Sequence, residues 1–94
     1  MKDDLDIPLF ALGRIVATPA ALEAAGSQAS DFIERHVRGS WEGSPEADRL
    51  SNHRAVLSGD ARILSAHTTE RGQVVWIITE ADRSITTLLL PSDY

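Results

Sequence analysis

Apolar positions along this chain change their spacing twice, and the changes divide it into three kinds of segment. After a polar, acidic start over residues 1–6, the run from Leu9 to Ala17 is apolar apart from Arg14 and β-branched toward its end, which suits a strand bent at Gly13. From Thr18 onward the spacing turns helical. Thr18-Pro19 is a start signal, because a threonine hydroxyl can cap free amides while proline takes the first helical position without losing a bond. A short helix is predicted from Pro19 to about Ala25, closed by Gly26. Ala29, Phe32, Ile33 and Val37 then recur on one face of a second helix that starts at about Ser27 or Ser30 and ends at Arg38. Its other face carries Asp31 with Arg35 and Glu34 with Arg38, acid-first pairs four residues apart. Gly39 to Gly43 reads as an irregular linker. Ser44-Pro45-Glu46 repeats the cap-plus-proline signature and opens a third helix to about Leu57, whose apolar stripe of Ala47, Leu50 and Leu57 is thin.

The final third alternates with a period of two. Three apolar runs, Arg62 to Thr69, Gln73 to Thr79 and Ser84 to Leu90, are separated by short polar turns and predict a three-stranded antiparallel β-meander. In the middle run Val74, Trp76 and Ile78 oppose Val75 and Ile77, so this strand is expected to be central, with Trp76 in the core. The first run is more polar and suits an edge. The predicted fold class is therefore α+β: an N-terminal strand, three short helices and the meander, making one compact sheet that the N-terminal strand joins. Residues 1–94 are expected to form a single domain, with residues 1–7 frayed.

Charge and composition narrow the function. The 14 acids against 9 bases give a net charge of −5, which opposes direct nucleic-acid binding because phosphate contacts need Lys or Arg. Eight of the nine bases are Arg, and with 12 Ala this reads as coding bias more readily than as a selected arginine surface. The chain has no Cys, which excludes disulfide and thiolate chemistry and fits a reducing compartment. No run is long enough to span a membrane, and the start at Met1 to Asp6 is acidic where a signal peptide would be basic. A cytoplasmic location is the expectation.

Candidate chemistry is sparse. His36, His53 and His67 fall on three different predicted elements without metal-ligand spacing, and read as isolated surface or partly buried residues. No nucleophile elbow precedes a helix. No cofactor, metal or catalytic activity is expected. The residues that read best as a contact surface are Trp41 with Glu42 and Glu46, and Glu80, Asp82 and Arg83 in the last turn. An indole between Gly39 and Gly43 is either a plug for a small core or an exposed anchor of the kind enriched at interface hot spots. The turn is either a solvated loop in which Asp82 bonds local amides or a recognition loop on a rigid scaffold.

The stretches Leu12-Gly13-Arg14-Ile15-Val16-Ala17-Thr18-Pro19 and Trp76-Ile77-Ile78-Thr79-Glu80-Ala81-Asp82-Arg83-Ser84-Ile85-Thr86-Thr87-Leu88-Leu89-Leu90-Pro91 resemble a family of small plasmid-related proteins carried by plasmids and integrating elements. The resemblance implies a mobile-element setting, in which small acidic proteins include anti-CRISPR and anti-restriction inhibitors. It implies no site residues. The expectation it leaves is a non-enzymatic protein that binds and inhibits a host defence complex, most concretely an anti-CRISPR protein occluding a nucleic-acid-binding surface. Its partner would be a CRISPR effector or restriction complex. The alternative is a homodimeric accessory protein of plasmid maintenance.

Overall fold

Gly13 fixes where the first strand begins. It lies at φ 64°, and a Cβ there would meet the Ser84 carbonyl oxygen at 2.3 Å, so only glycine lets the chain pass this close to the turn it crosses. The computed structural model describes residues 8–94, and the fraying expected over residues 1–7 lies outside that range. Strand β1 is Arg14–Ala17, shorter than the apolar run that suggested it. Leu9, before the glycine, instead donates its N–H to the Val37 carbonyl at 2.8 Å.

Helix α1 spans Pro19–Ala25, and the Thr18 hydroxyl accepts from the Ala21 amide at 3.1 Å as the cap residue should. A 3₁₀ turn over Gly26–Gln28 leads straight into α2, Ala29–Arg38. The first two predicted helices are thus one helical segment broken by a tightened turn. The second segment is α3, Glu46–Ser58. Its start differs from expectation, because the Ser44 hydroxyl does not cap the helix but accepts from the Ala66 amide at 2.9 Å. Its contact face differs too. Leu57 is 88% exposed and Leu50 is also exposed, while Asn52 and Ala55 are buried. This helix is held by the hydrogen bonds of Asn52 to Leu64 and by the packing of Ala55 and Val56, not by the stripe of Ala47, Leu50 and Leu57.

The remaining strands are β2, Ile63–Thr68, β3, Val74–Thr79, and β4, Ile85–Leu89. They form one four-stranded mixed sheet in the order β1-β4-β3-β2. The three C-terminal strands are antiparallel, and β1 lies parallel to β4 with Ile15 beside Thr86. A purely antiparallel meander is therefore an incomplete description, since a helical crossover separates β1 from its neighbour and permits the parallel pairing.

One face of the sheet carries Ile63, Ser65, His67, Val75, Ile77, Thr79, Thr86 and Leu88, placed there by the register. Helices α1 and α2 cover it, and Ala21, Ala25, Phe32, Val75, Ile77 and Leu88 make the main core. A second, smaller core lies beneath α3, where Trp41, Ala55 and Ile63 pack with Phe10 and Val56. Trp76 is on the other face. It is half-buried, with its ring edge-on to Tyr94 at 5.8 Å, so the expectation that it anchors the core is corrected. Two apolar faces on β3 did not distinguish the side covered by α1 and α2 from the other, on which Ile78 is buried and Trp76 only partly so.

Candidate functional site

The strand positions that break the apolar pattern of the covered face are Ser65, Thr79 and Thr86, and α2 brings His36 over them. His36 Nδ1 is 2.6 Å from Ser65 Oγ, and its Nε2 is 2.8 Å from Thr79 Oγ1. Thr79 Oγ1 is 2.7 Å from Thr86 Oγ1, and Ser65 Oγ is 2.8 Å from His67 Nε2. The Thr86 hydroxyl donates to the Leu12 carbonyl at 2.7 Å.

Counting protons fixes every direction in this chain. A hydroxyl has one hydrogen to give. Thr86 spends its own on Leu12, so Thr79 must donate to Thr86, and His36 must donate from Nε2 to Thr79. His36 is neutral, so Nδ1 accepts, and Ser65 donates to it. His67 then donates from Nε2 to Ser65. Burial, followed by the neighbouring His67, pushes His36 down from 6.5 to about 3. Burial also lowers His67, to about 4, assisted by Arg35 and opposed by Asp31 and Glu42. The rings are held as well: His67 stacks on Phe32 at 5.2 Å, and Phe10 meets His36 edge-on at 5.3 Å.

A serine whose hydroxyl donates to a histidine is the starting arrangement for nucleophilic attack. Here Ser65 and His36 are each 0% exposed, which leaves no approach for a substrate. The chain of hydrogen bonds instead satisfies polar groups that would be costly to bury alone. It also corrects the reading of His36 and His67 as isolated. Neither could be linked from sequence, because 29 residues separate His36 from Ser65. The available signal was the appearance of Ser65, Thr79 and Thr86 at positions where alternation calls for apolar side chains.

The residues expected to form a contact surface have three different fates. Trp41 is 2% exposed, and its indole N–H donates to the His36 carbonyl at 2.8 Å, so the plug reading holds and the exposed-anchor reading is corrected. The reason is that Phe10, Ala55 and Ile63, all distant in sequence, close around it. Arg83 is also spent internally. Its guanidinium donates to the carbonyls of Ala61, Glu80, Ala81 and Ala55 at 2.7 to 3.2 Å and lies over the Phe10 ring, tying the β3–β4 turn to α3. Arg83 accepts a left-handed φ of 61° to do so. Asp82 accepts from the Ser84 hydroxyl at 2.6 Å and amide at 3.0 Å, which hold its carboxyl below the usual range.

Glu42, Glu46 and Glu80 are exposed. They do not form one patch. Glu46 opens α3, whereas the Glu80 to Arg83 turn is pinned at Ala55, about 14 Å further along the helix at 1.5 Å per residue. The loop bearing Glu42 is firmly held, with Trp41 buried before it, Ser44 bonded to Ala66 after it, and Gly43 so close that a Cβ would stand 3.0 Å from the Ala66 carbonyl oxygen.

Among the described residues no group of three or more His, Cys, Asp or Glu is placed to hold a metal ion, and no helix is long and apolar enough to cross a membrane. Comparison with family models, curated proteins and solved structures found no match.

Proposed function

We propose that this chain is a non-enzymatic binding protein that inhibits a host defence complex, most concretely an anti-CRISPR protein that occludes a nucleic-acid-binding surface. The observation that carries the reading is the anchored acidic loop. Glu42 projects from a loop fixed on both sides and Glu46 from the first turn of α3, so binding a basic surface through them costs little ordering entropy. Surfaces that hold nucleic acid are rich in Lys and Arg, and a chain of net charge −5 is steered toward them. The burial of Ser65 and His36 gives the same reading indirect support, since the groups best suited to covalent chemistry are shut away from solvent. The resemblance to mobile-element proteins supplies the biological setting.

The test is capture by the tagged full chain from a host carrying CRISPR and restriction systems, followed by nuclease or target-binding assays with the purified complex. Stoichiometric inhibition is expected. Replacing Glu42 and Glu46 together by Lys should slow association by about tenfold or more at low salt, with a smaller difference at high salt. Failure to inhibit any captured complex, or a charge-reversed variant that associates at the original rate, would remove the reading.

A further inference from the structure

The two edges of the sheet are treated differently. On β2, Asn52 takes both outward backbone groups of Leu64, donating to its carbonyl at 2.6 Å and accepting from its amide at 3.0 Å, while Ser44 accepts from Ala66. An edge capped by side chains cannot template another strand. On β1 no such cap exists among the described residues. Arg14 and Thr18 direct their amides at β4, donating to Ser84 at 2.9 Å and Leu88 at 3.0 Å. By alternation Ile15 and Ala17 direct theirs away from the sheet. The Ile15 side chain is 48% exposed beside them.

We propose that β1 pairs antiparallel with β1 of a second copy of this chain, joining two four-stranded sheets across a two-fold axis. The register follows from geometry. Residues opposed on antiparallel neighbours share a face, so a residue of one copy faces a residue of the same parity in the other. Placing the outward-directed groups in mutual reach sets Ile15 opposite Ala17 of the second copy, with both backbone bonds exchanged, and Val16 opposite Val16. A large side chain then meets a small one twice, on the helix-covered face.

Charge selects the same register. It puts Arg14 opposite Thr18 of the second copy, on the face opposite the helices. The Thr18 hydroxyl donates to the Asp93 carboxylate at 2.7 Å, and the Leu90 amide donates to the same oxygen at 3.0 Å, so that carboxylate is fixed in place. Arg14 has no acidic partner of its own among the described residues. The two-fold axis gives each copy's Arg14 an anchored carboxylate on the other. Backbone, side-chain size and charge are therefore all self-complementary, which singles out a second copy over a foreign strand. The inference stands apart from the inhibitor reading, since β1 lies at the opposite edge of the sheet from the Ser44 anchor of the acidic loop.

Sedimentation velocity of the full chain across micromolar to millimolar concentration tests it, together with amide exchange at Ile15 and Ala17. The expected result is a species of twice the 10.2 kDa chain mass, with protection of those two amides rising alongside it. Ile15→Lys, at an exposed position, should leave the circular dichroism unchanged and abolish the dimer. Arg14→Glu should raise the dimer dissociation constant at least about tenfold, and Asp93→Arg in the same chain should recover most of the loss. A monomer at every concentration leaves the edge to some other strand and overturns the proposal. A dimer that survives Ile15→Lys, or a charge reversal that Asp93→Arg does not rescue, places the contact elsewhere and overturns it equally.

Discussion

Acidification from about pH 7.5 to about pH 4.5 is expected to withdraw much of the stability of this protein through two buried histidines. In the native state His36 is pushed from 6.5 to about 3 and His67 to about 4, both chiefly by burial, whereas the unfolded imidazoles titrate near 6.5. Below 6.5 the unfolded chain therefore binds protons that the native chain refuses. The contribution of the neutral rings is complete above 6.5 and is lost as pH falls toward the native values. With both unfolded rings charged, two protons correspond to about 2.7 kcal/mol per pH unit, so two units withdraw about 5 kcal/mol. That is a large share of the roughly 5 to 15 kcal/mol that holds a domain together.

The geometry also says why the native state resists. One proton can be taken on His67 Nδ1 without disturbing the chain, because Nε2 still donates to Ser65 and Ser65 to His36. A second proton leaves Ser65 between two N–H donors, with no acceptor for its own hydrogen. Around these rings the charged groups are Arg35, Asp31 and Glu42, all on the His67 side. Urea unfolding followed by circular dichroism at half-unit pH steps measures the slope. His67→Gln, which keeps a donor to Ser65 but cannot titrate, should reduce it by about half. Stability that stays flat from pH 6.5 to 4.5, or a slope that His67→Gln leaves unchanged, would refute the reasoning; the lowered carboxyls of Asp82 and Asp93 cannot mimic it, because their contributions fade only below the ordinary carboxyl range.

The two tryptophans make a second contrast. Trp41→Ala should cost about 3 to 5 kcal/mol and Trp76→Ala clearly less, as read from chemical unfolding, because only the first opens a closed core and leaves the His36 carbonyl with nothing but the long 3.4 Å bond from the Gly39 amide. Equal losses would count against two distinct environments. Asn52→Ala should cost about 2 to 3 kcal/mol and raise the tendency to aggregate, since it bares the Leu64 amide and carbonyl on the β2 edge. Light scattering at elevated protein concentration reads the second effect, and an unchanged signal would show that α3 shields the edge without that side chain.

How far the sequence spoke depended on whether the cause was local. The cap at Thr18, the proline after it and Gly39 at φ 82° act within a few residues of themselves, and the element ends they predict are present. The central place of β3 was legible from its two apolar faces, and the polar character of β2 matched its edge position. Asp82 likewise makes the turn bonds that its type favours. The excess of acids over bases was also legible before any pairing was known.

Packing over long separations decided the rest. Trp41 carries no local mark of burial, and it is sealed only because Phe10, Ala55 and Ile63 converge on it. Arg83 looks like a free charge until the turn folds against α3 and offers it carbonyls to bind. His36, Ser65, His67, Thr79 and Thr86 become one directed chain of hydrogen bonds only when α2 lies across three paired strands, because each link needs two groups within about 3 Å. The parallel partnership of β1 with β4 has the same origin. A strand's own residues fix which of its faces is apolar, but its neighbour and the direction of pairing are chosen by the crossover that returns the chain to the sheet.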